Sequence, residues 1–157
     1  MSSEGSPDLK QIDGSGLAIA IVAGTWHAEI TENLITSALN FCESSGARAE
    51  VIRVPGSFEV PLAASAALNA GFDAVVALGV IIKGDTPHFD FVSSGVTQGL
   101  MDLMQTTQKP IGIGILTCDN LEQAKLRSGL PGSTSNKGIE AASAALQMAI
   151  LVKEISL

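Results

Sequence analysis

The sequence predicts one α/β domain in three layers, with a four-stranded parallel sheet between helices on both faces. Three observations carry this expectation. Four short apolar runs recur along the chain, a helix-like stretch follows each, and the runs are continuous rather than alternating. A strand that is apolar at consecutive positions buries both of its faces, as parallel sheets covered by helices do. Regular alternation of strand and helix is the βαβ pattern, whose crossovers lay helices against the sheet.

The elements follow in order. Leu17–Ala23 is the first run, ended by Gly24, and Ala49–Val54 is the second, closed by Pro55-Gly56. Asp73–Ile82 and Pro110–Leu116 give the third and fourth strands. After Trp26, the residues Ile30, Leu34, Ile35, Ala38, Leu39 and Cys42 recur at helical spacing. Pro61–Asn69 is rich in alanine, with its proline tolerable only in a first turn. Phe89–Gln105 carries Phe91, Val92, Val96, Leu100, Leu103 and Met104, Leu121–Arg127 is a short helix, and Ile139–Ile155 closes the chain. Among doubly wound sheets the flavodoxin-like order 2-1-3-4 is expected. Its switch point lies between strands 1 and 3, so a ligand crevice should open beside Gly24–His27 and Lys83–His88.

Composition bounds the function. With 157 residues, 46% apolar and 16% charged, the chain suits a single domain with a substantial core, read as residues 16–157 behind a flexible arm at 1–15. A net charge of −7 leaves no footprint for nucleic acid or an anionic membrane. No apolar run approaches the about 18 residues that a membrane span needs. The polar start lacks the basic-then-apolar pattern of a leader, so a soluble cytoplasmic protein is expected. Cys42 and Cys118 match no metal spacing and fit a reduced compartment.

Four segments could carry chemistry. The loop Lys83–His88 follows a strand and enters a helix, where backbone N–H groups attract anions and Gly84 permits close approach. His88 is the acid/base candidate there, although a helix-start histidine can equally be a solvated cap. Trp26 is the single tryptophan and follows the first strand. It could stack on a planar heterocycle or pack as an ordinary core aromatic. In Pro55–Pro61, Ser57 could cap a helix, Phe58 pack on a ring, and Glu59 accept from hydroxyls or merely favour the helix dipole. Arg127 and Lys137 flank a Gly/Ser-rich stretch. They are either surface cations or a phosphate pair. Both follow strand 4, away from the crevice, so they would serve it from a neighbouring subunit. The chain has no GxxxxGK, GxGxxG helix opening, HExxH, paired CxxC or GxSxG, and Gly112 and Gly114 sit inside a strand-like run. Nucleotide hydrolysis, zinc hydrolysis and a serine triad lose support accordingly.

Five segments in register resemble the lumazine synthase family: Thr25-Trp26-His27, Pro55–Pro61, Gly79–Val92, Gly114–Arg127 and Asn136-Lys137-Gly138. The likeness covers nearly all of the chain after about residue 15. It implies condensation of 5-amino-6-(D-ribitylamino)uracil with 3,4-dihydroxy-2-butanone 4-phosphate to 6,7-dimethyl-8-ribityllumazine, the penultimate step of riboflavin synthesis, with no metal or organic cofactor. By the same resemblance, His88 shuttles protons and Trp26 stacks on the pyrimidine. Ser57, Phe58 and Glu59 hold the ribityl chain and ring edge. Ile81 and Ile82 present backbone groups to the pyrimidine, and Ile113 faces the ring where many relatives carry Phe or Asn. Gly84, Asp85 and Thr86 offer N–H groups or a hydroxyl to phosphate, while Arg127 and Lys137 neutralise it from the adjacent subunit. Asp85 departs from what a phosphate loop wants, and its side chain is expected to point away.

The resemblance also implies a pentamer or a shell of twelve pentamers. The stretch between Arg127 and Lys137 looks longer than in shell-forming relatives, which favours the free pentamer. The segment Pro7-Asp8-Leu9 could pair with a neighbouring sheet edge. Two other classes compete. A non-catalytic riboflavin or lumazine binder would use Trp26 and Phe58 but needs no phosphate site. A flavodoxin-like signalling module would need an acidic cluster at the strand ends, which this chain lacks.

Overall fold

The computed structural model describes Gly5, Leu9 and residues 11–156. Four parallel strands, β1 (Ala18–Gly24), β2 (Arg48–Val54), β3 (Ala74–Ile82) and β4 (Ile111–Cys118), form one sheet in the order β2-β1-β3-β4. This is the flavodoxin-like order expected from the alternation of strand and helix. Among the described residues five α-helices accompany the sheet: α1 (Ala28–Ser44), α2 (Val60–Asn69), α3 (His88–Thr107), α4 (Leu121–Lys125) and α5 (Lys137–Ile155).

Period-two side-chain alternation divides the core into two layers. Ile19, Ile21 and Ala23 of β1 join Ala74, Val76, Leu78 and Val80 of β3 beneath α1 and α5. Ala20 and Val22, with Val75, Ala77 and Ile81, face α2 and α3. The central strands are therefore buried on both sides. β2 is an edge strand, and its Arg48, Glu50 and Arg53 are exposed. Its apolar run reflects a half-covered edge rather than a fully buried strand.

The helices present narrow apolar stripes. α1 buries Ile30, Leu34, Ile35, Ala38 and Cys42, and α3 buries Val92, Val96 and Leu100 at four-residue spacing. α5 buries small residues, Ala141, Ala142, Ala145 and Ala149 among them, which lets its backbone approach closely. The sheet meets it with glycine: a Cβ on Gly112 would lie 1.9 Å from the Ala141 carbonyl oxygen. Gly112 and Gly114 are thus seats for α5, consistent with their poor standing as a dinucleotide loop. Gly138 does the same on the other side of α5, where a Cβ would come 2.4 Å from the Leu34 carbonyl oxygen of α1.

The chain is docked before the first strand. Ile12 belongs to the core beneath α1 and α5, and the Gly14 N–H donates to the Ser45 carbonyl at 2.6 Å. Of the segment Pro7-Asp8-Leu9, Pro7 and Asp8 lie outside the described residues and Leu9 is exposed. Among the described residues, no helix is long and apolar enough to cross a membrane.

Candidate active site in two halves

The carboxyl ends of β1, β2 and β3 converge on a cavity of about 430 Å³. Its wall combines Trp26 and His27 after β1, Pro55–Glu59 after β2, Val80–Ile82 of β3, and His88 and Val92 of α3. The switch-point crevice expected beside Gly24–His27 and Lys83–His88 is lined by Trp26, His27 and His88 of those segments, while the loop after β2 supplies Pro55–Glu59 and residues 83–87 after β3 lie outside the wall.

Each side chain is held by a local device. The Thr25 hydroxyl donates to the Pro55 carbonyl at 2.9 Å and ties the β1 and β2 loops together. His27 precedes α1 in the left-handed region, φ 54, a conformation that costs a non-glycine residue about 1–3 kcal/mol. Its carbonyl accepts the Ile30 and Thr31 N–H groups, and the Thr31 hydroxyl donates to the Trp26 carbonyl at 2.7 Å. This turn throws Trp26 out over the cavity, where its side chain is 69% exposed. Gly56 lies beneath it, since a Cβ there would stand 3.5 Å from Trp26 Nε1 and 3.3 Å from Glu59 Oε2.

Ser57–Glu59 form a single 3-10 turn, a feature that Pro55-Gly56 and Pro61 gave no means to distinguish from a plain helix start. Ser57 rests on the sheet at Gly79, where a Cβ would lie 2.7 Å from its hydroxyl oxygen. Phe58 is half exposed, and its ring meets His88 edge-on, 5.8 Å between centroids at 68°. His88 is the first residue of α3, and its N–H points to the Thr86 hydroxyl at 3.4 Å. Both histidines of the chain line this cavity. Two exposed aromatic faces beside an imidazole make a platform for a flat heterocycle next to a proton carrier. Lys83, Gly84, Asp85 and Thr86 are exposed and stand outside the cavity wall.

Arg127 and Lys137 are elsewhere. They line a second cavity of about 230 Å³ at the open edge of β4, with Ile113, Thr117 and Glu140. Ile113 thus groups with the cations and not with the aromatic platform of its own subunit. The two cations are brought side by side by a compact turn: the Lys137 N–H donates to the Arg127 carbonyl at 2.9 Å, and Ser128 pairs with Asn136 in an antiparallel bridge. Asn136 caps α5 by accepting from Gly138 and Ile139, while α1 grips the turn through Asn33 Nδ2, which donates to the Ser128 carbonyl (2.7 Å), and the Ser37 hydroxyl, which accepts from Asn136 Nδ2 (2.9 Å). Arg127 Nη1 donates to the Gln123 carbonyl at 2.7 Å.

Sequence reasoning gave His27 no role of its own and did not single out Glu140. A left-handed φ leaves no mark in a sequence unless glycine fills it. An acidic residue in a first turn reads as a partner for the helix dipole. Among the described residues no group of three or more His, Cys, Asp and Glu side chains could hold a metal ion.

Comparison with known proteins gives the family. The family model described as 6,7-dimethyl-8-ribityllumazine synthase matches residues 16–153. The chain is 52% identical over 157 residues to the 6,7-dimethyl-8-ribityllumazine synthase of Clavibacter michiganensis subsp. michiganensis, covering 99% of this chain and 98% of that protein. It is 53% identical over 156 residues to the enzyme of the same name from Leifsonia xyli subsp. xyli, covering 99% of each chain. With the one from Cutibacterium acnes it shares 53% identity over 142 residues, 90% of this chain and 85% of that one. The chain belongs to the 6,7-dimethyl-8-ribityllumazine synthase family.

Proposed function

We propose that this chain condenses 5-amino-6-(D-ribitylamino)uracil with 3,4-dihydroxy-2-butanone 4-phosphate, forming 6,7-dimethyl-8-ribityllumazine, one phosphate and two waters. The observation that carries the reading is the division of the site: an aromatic platform beside His88 in one cavity, and an Arg–Lys pair in another. A condensation of a flat ring with a phosphorylated ketone needs both, held together so that the bimolecular encounter is already made.

In this reading the pyrimidine stacks on Trp26, its edge meets the Ile81 and Ile82 backbone, and the ribityl chain lies along Ser57, Phe58 and Glu59. The ring amine attacks the ketone to give an imine, phosphate leaves, and ring closure expels water. His88 moves the protons of these steps, its ring set by the edge contact with Phe58. The Gly84–Thr86 backbone and Thr86 hydroxyl approach the phosphate from outside the wall, with the Asp85 carboxylate turned away.

Arg127, Lys137 and Ile113 complete a neighbour's site, which makes the working form a homo-oligomer, a pentamer in preference to a 60-subunit shell. Two buried free thiols suit a cytoplasmic enzyme.

The test is to mix the purified protein with both substrates and follow lumazine absorbance and green fluorescence. Product above the spontaneous background, reduced in His88→Ala with binding of a ribityl-pyrimidine analogue retained, is the expected result. Tight riboflavin binding with quenched Trp26 emission and no product would make the chain a flavin binder instead.

A further inference from the structure

The cavity at the β4 edge holds a third charge. Glu140 lines it with Arg127 and Lys137, and its carboxylate accepts from the Lys137 ammonium. The pair is well shielded, with side-chain exposures of 14% for Lys137 and 29% for Glu140. Among the described residues Arg127 makes no ion pair and spends one donor on the Gln123 carbonyl.

Helix stability does not explain this pair. Lys137 is the first residue of α5, where the helix dipole disfavours a cation. Lysine preceding glutamate is also the weaker order for a pair along a helix. The lysine is placed for the cavity, and Glu140 is the anion that occupies it there.

We propose that Glu140 is a built-in competitor for phosphate: it neutralises Lys137 while the site is free, yields to the substrate's phosphate, and re-pairs as inorganic phosphate leaves. The inference rests on reading Arg127 and Lys137 as the phosphate anchor. Two cations and one carboxylate leave a single net positive charge facing a phosphate dianion, which limits how tightly the leaving product is held. Glu140 is therefore a tuning residue that acts through Lys137, not a catalytic one.

The experiment measures inhibition by inorganic phosphate, together with KM for the phosphorylated substrate, in the assembled enzyme and in E140Q. The proposal expects E140Q to bind inorganic phosphate about five-fold more tightly or better, with a lower KM, the scale of one partly exposed ion pair. Weaker or unchanged phosphate inhibition in E140Q overturns it, because a carboxylate that only holds Lys137 in position would loosen the site when removed. If E140Q does not reach the wild-type mass by sedimentation, E140A gives the same reading, since it also removes the carboxylate and alanine suits a helix. R127A separates the two levels of the argument: if its phosphate inhibition equals wild type, the anchor itself lies elsewhere and that reading fails, whatever E140Q does.

Discussion

Gly112→Ala is the most informative single methyl that can be added to this protein. The new Cβ would stand 1.9 Å from the Ala141 carbonyl oxygen, 2.8 Å from its carbon and 3.1 Å from the Ala145 Cβ. Neither the β4 backbone nor the α5 backbone can swing aside as a side chain does. Restoring a separation of 3.0 Å requires a shift of about 1.1 Å between helix and sheet at Ala141. Overpacking of this kind costs about 3 kcal/mol, which for a chain of this size lowers Tm by roughly 6–12 °C. The displacement falls one turn from Lys137, so it should also weaken inorganic phosphate inhibition, while a ribityl-pyrimidine analogue binds the Trp26 cavity as before. Thermal unfolding of the assembled protein and two ligand titrations make the measurement. Gly84→Ala is the stability control, as a Cβ there meets nothing within 4 Å. A wild-type Tm in Gly112→Ala, or equal loss of both ligands, would refute the close seating of α5 or the separation of the two half-sites.

Other perturbations address single contacts. Asn33→Ala leaves the Ser128 carbonyl without its side-chain donor at a cost of about 1–2 kcal/mol, and should raise KM for the phosphorylated substrate with pyrimidine binding retained. At Asp73, burial pushes the carboxyl upward, but the Ala18 N–H and Lys153 outweigh it and hold it below the ordinary carboxylate value. Its stabilisation is therefore present above about pH 4 and lost as pH falls through the depressed folded value. Asp73→Asn should lower stability at pH 7 by about 1–2 kcal/mol, with the gap to wild type closing in acid melts. Burial, with Glu43 adding to it, pushes the Cys42 thiol up to about 11, so folding favours the neutral thiol. That contribution is intact below about pH 8.5 and is lost as pH rises toward 11. Cys42 should resist thiol reagents in the native protein at pH 8 and react at once in urea.

The fold was legible because its strands are unambiguous. The runs Leu17–Ala23 and Asp73–Ile82 are too apolar for any place but the middle of a covered sheet, and the stripes of α1 and α3 keep helical spacing throughout. What stayed hidden depends on backbone geometry. The strained His27 turn that exposes Trp26, and the 3-10 turn that aims Phe58 at His88, arise from φ and ψ values that residue types permit but do not announce. The cavity lining was legible at Trp26, Ser57–Glu59, Ile81, Ile82 and His88, since loops after parallel strands converge where the strand order reverses. Arg127 and Lys137 were correctly expected apart from that crevice, because strand 4 carries them to the far edge. Ile113 is different: a strand residue faces one side or the other by register alone, and only the edge position of β4 places it with the cations.

The central claim is that one working site is assembled from the His88 cavity of one subunit and the Arg127 edge of the next. Co-assembly of His88→Ala with Arg127→Ala, with each variant's own rate subtracted, tests it directly. In a closed ring of randomly mixed subunits about one quarter of the junctions join an intact His88 to an intact Arg127. The account predicts that lumazine formation returns to about that fraction of the wild-type rate after subunit exchange. Mixed assemblies no more active than their parents would place both residues in a site within one chain and contradict it.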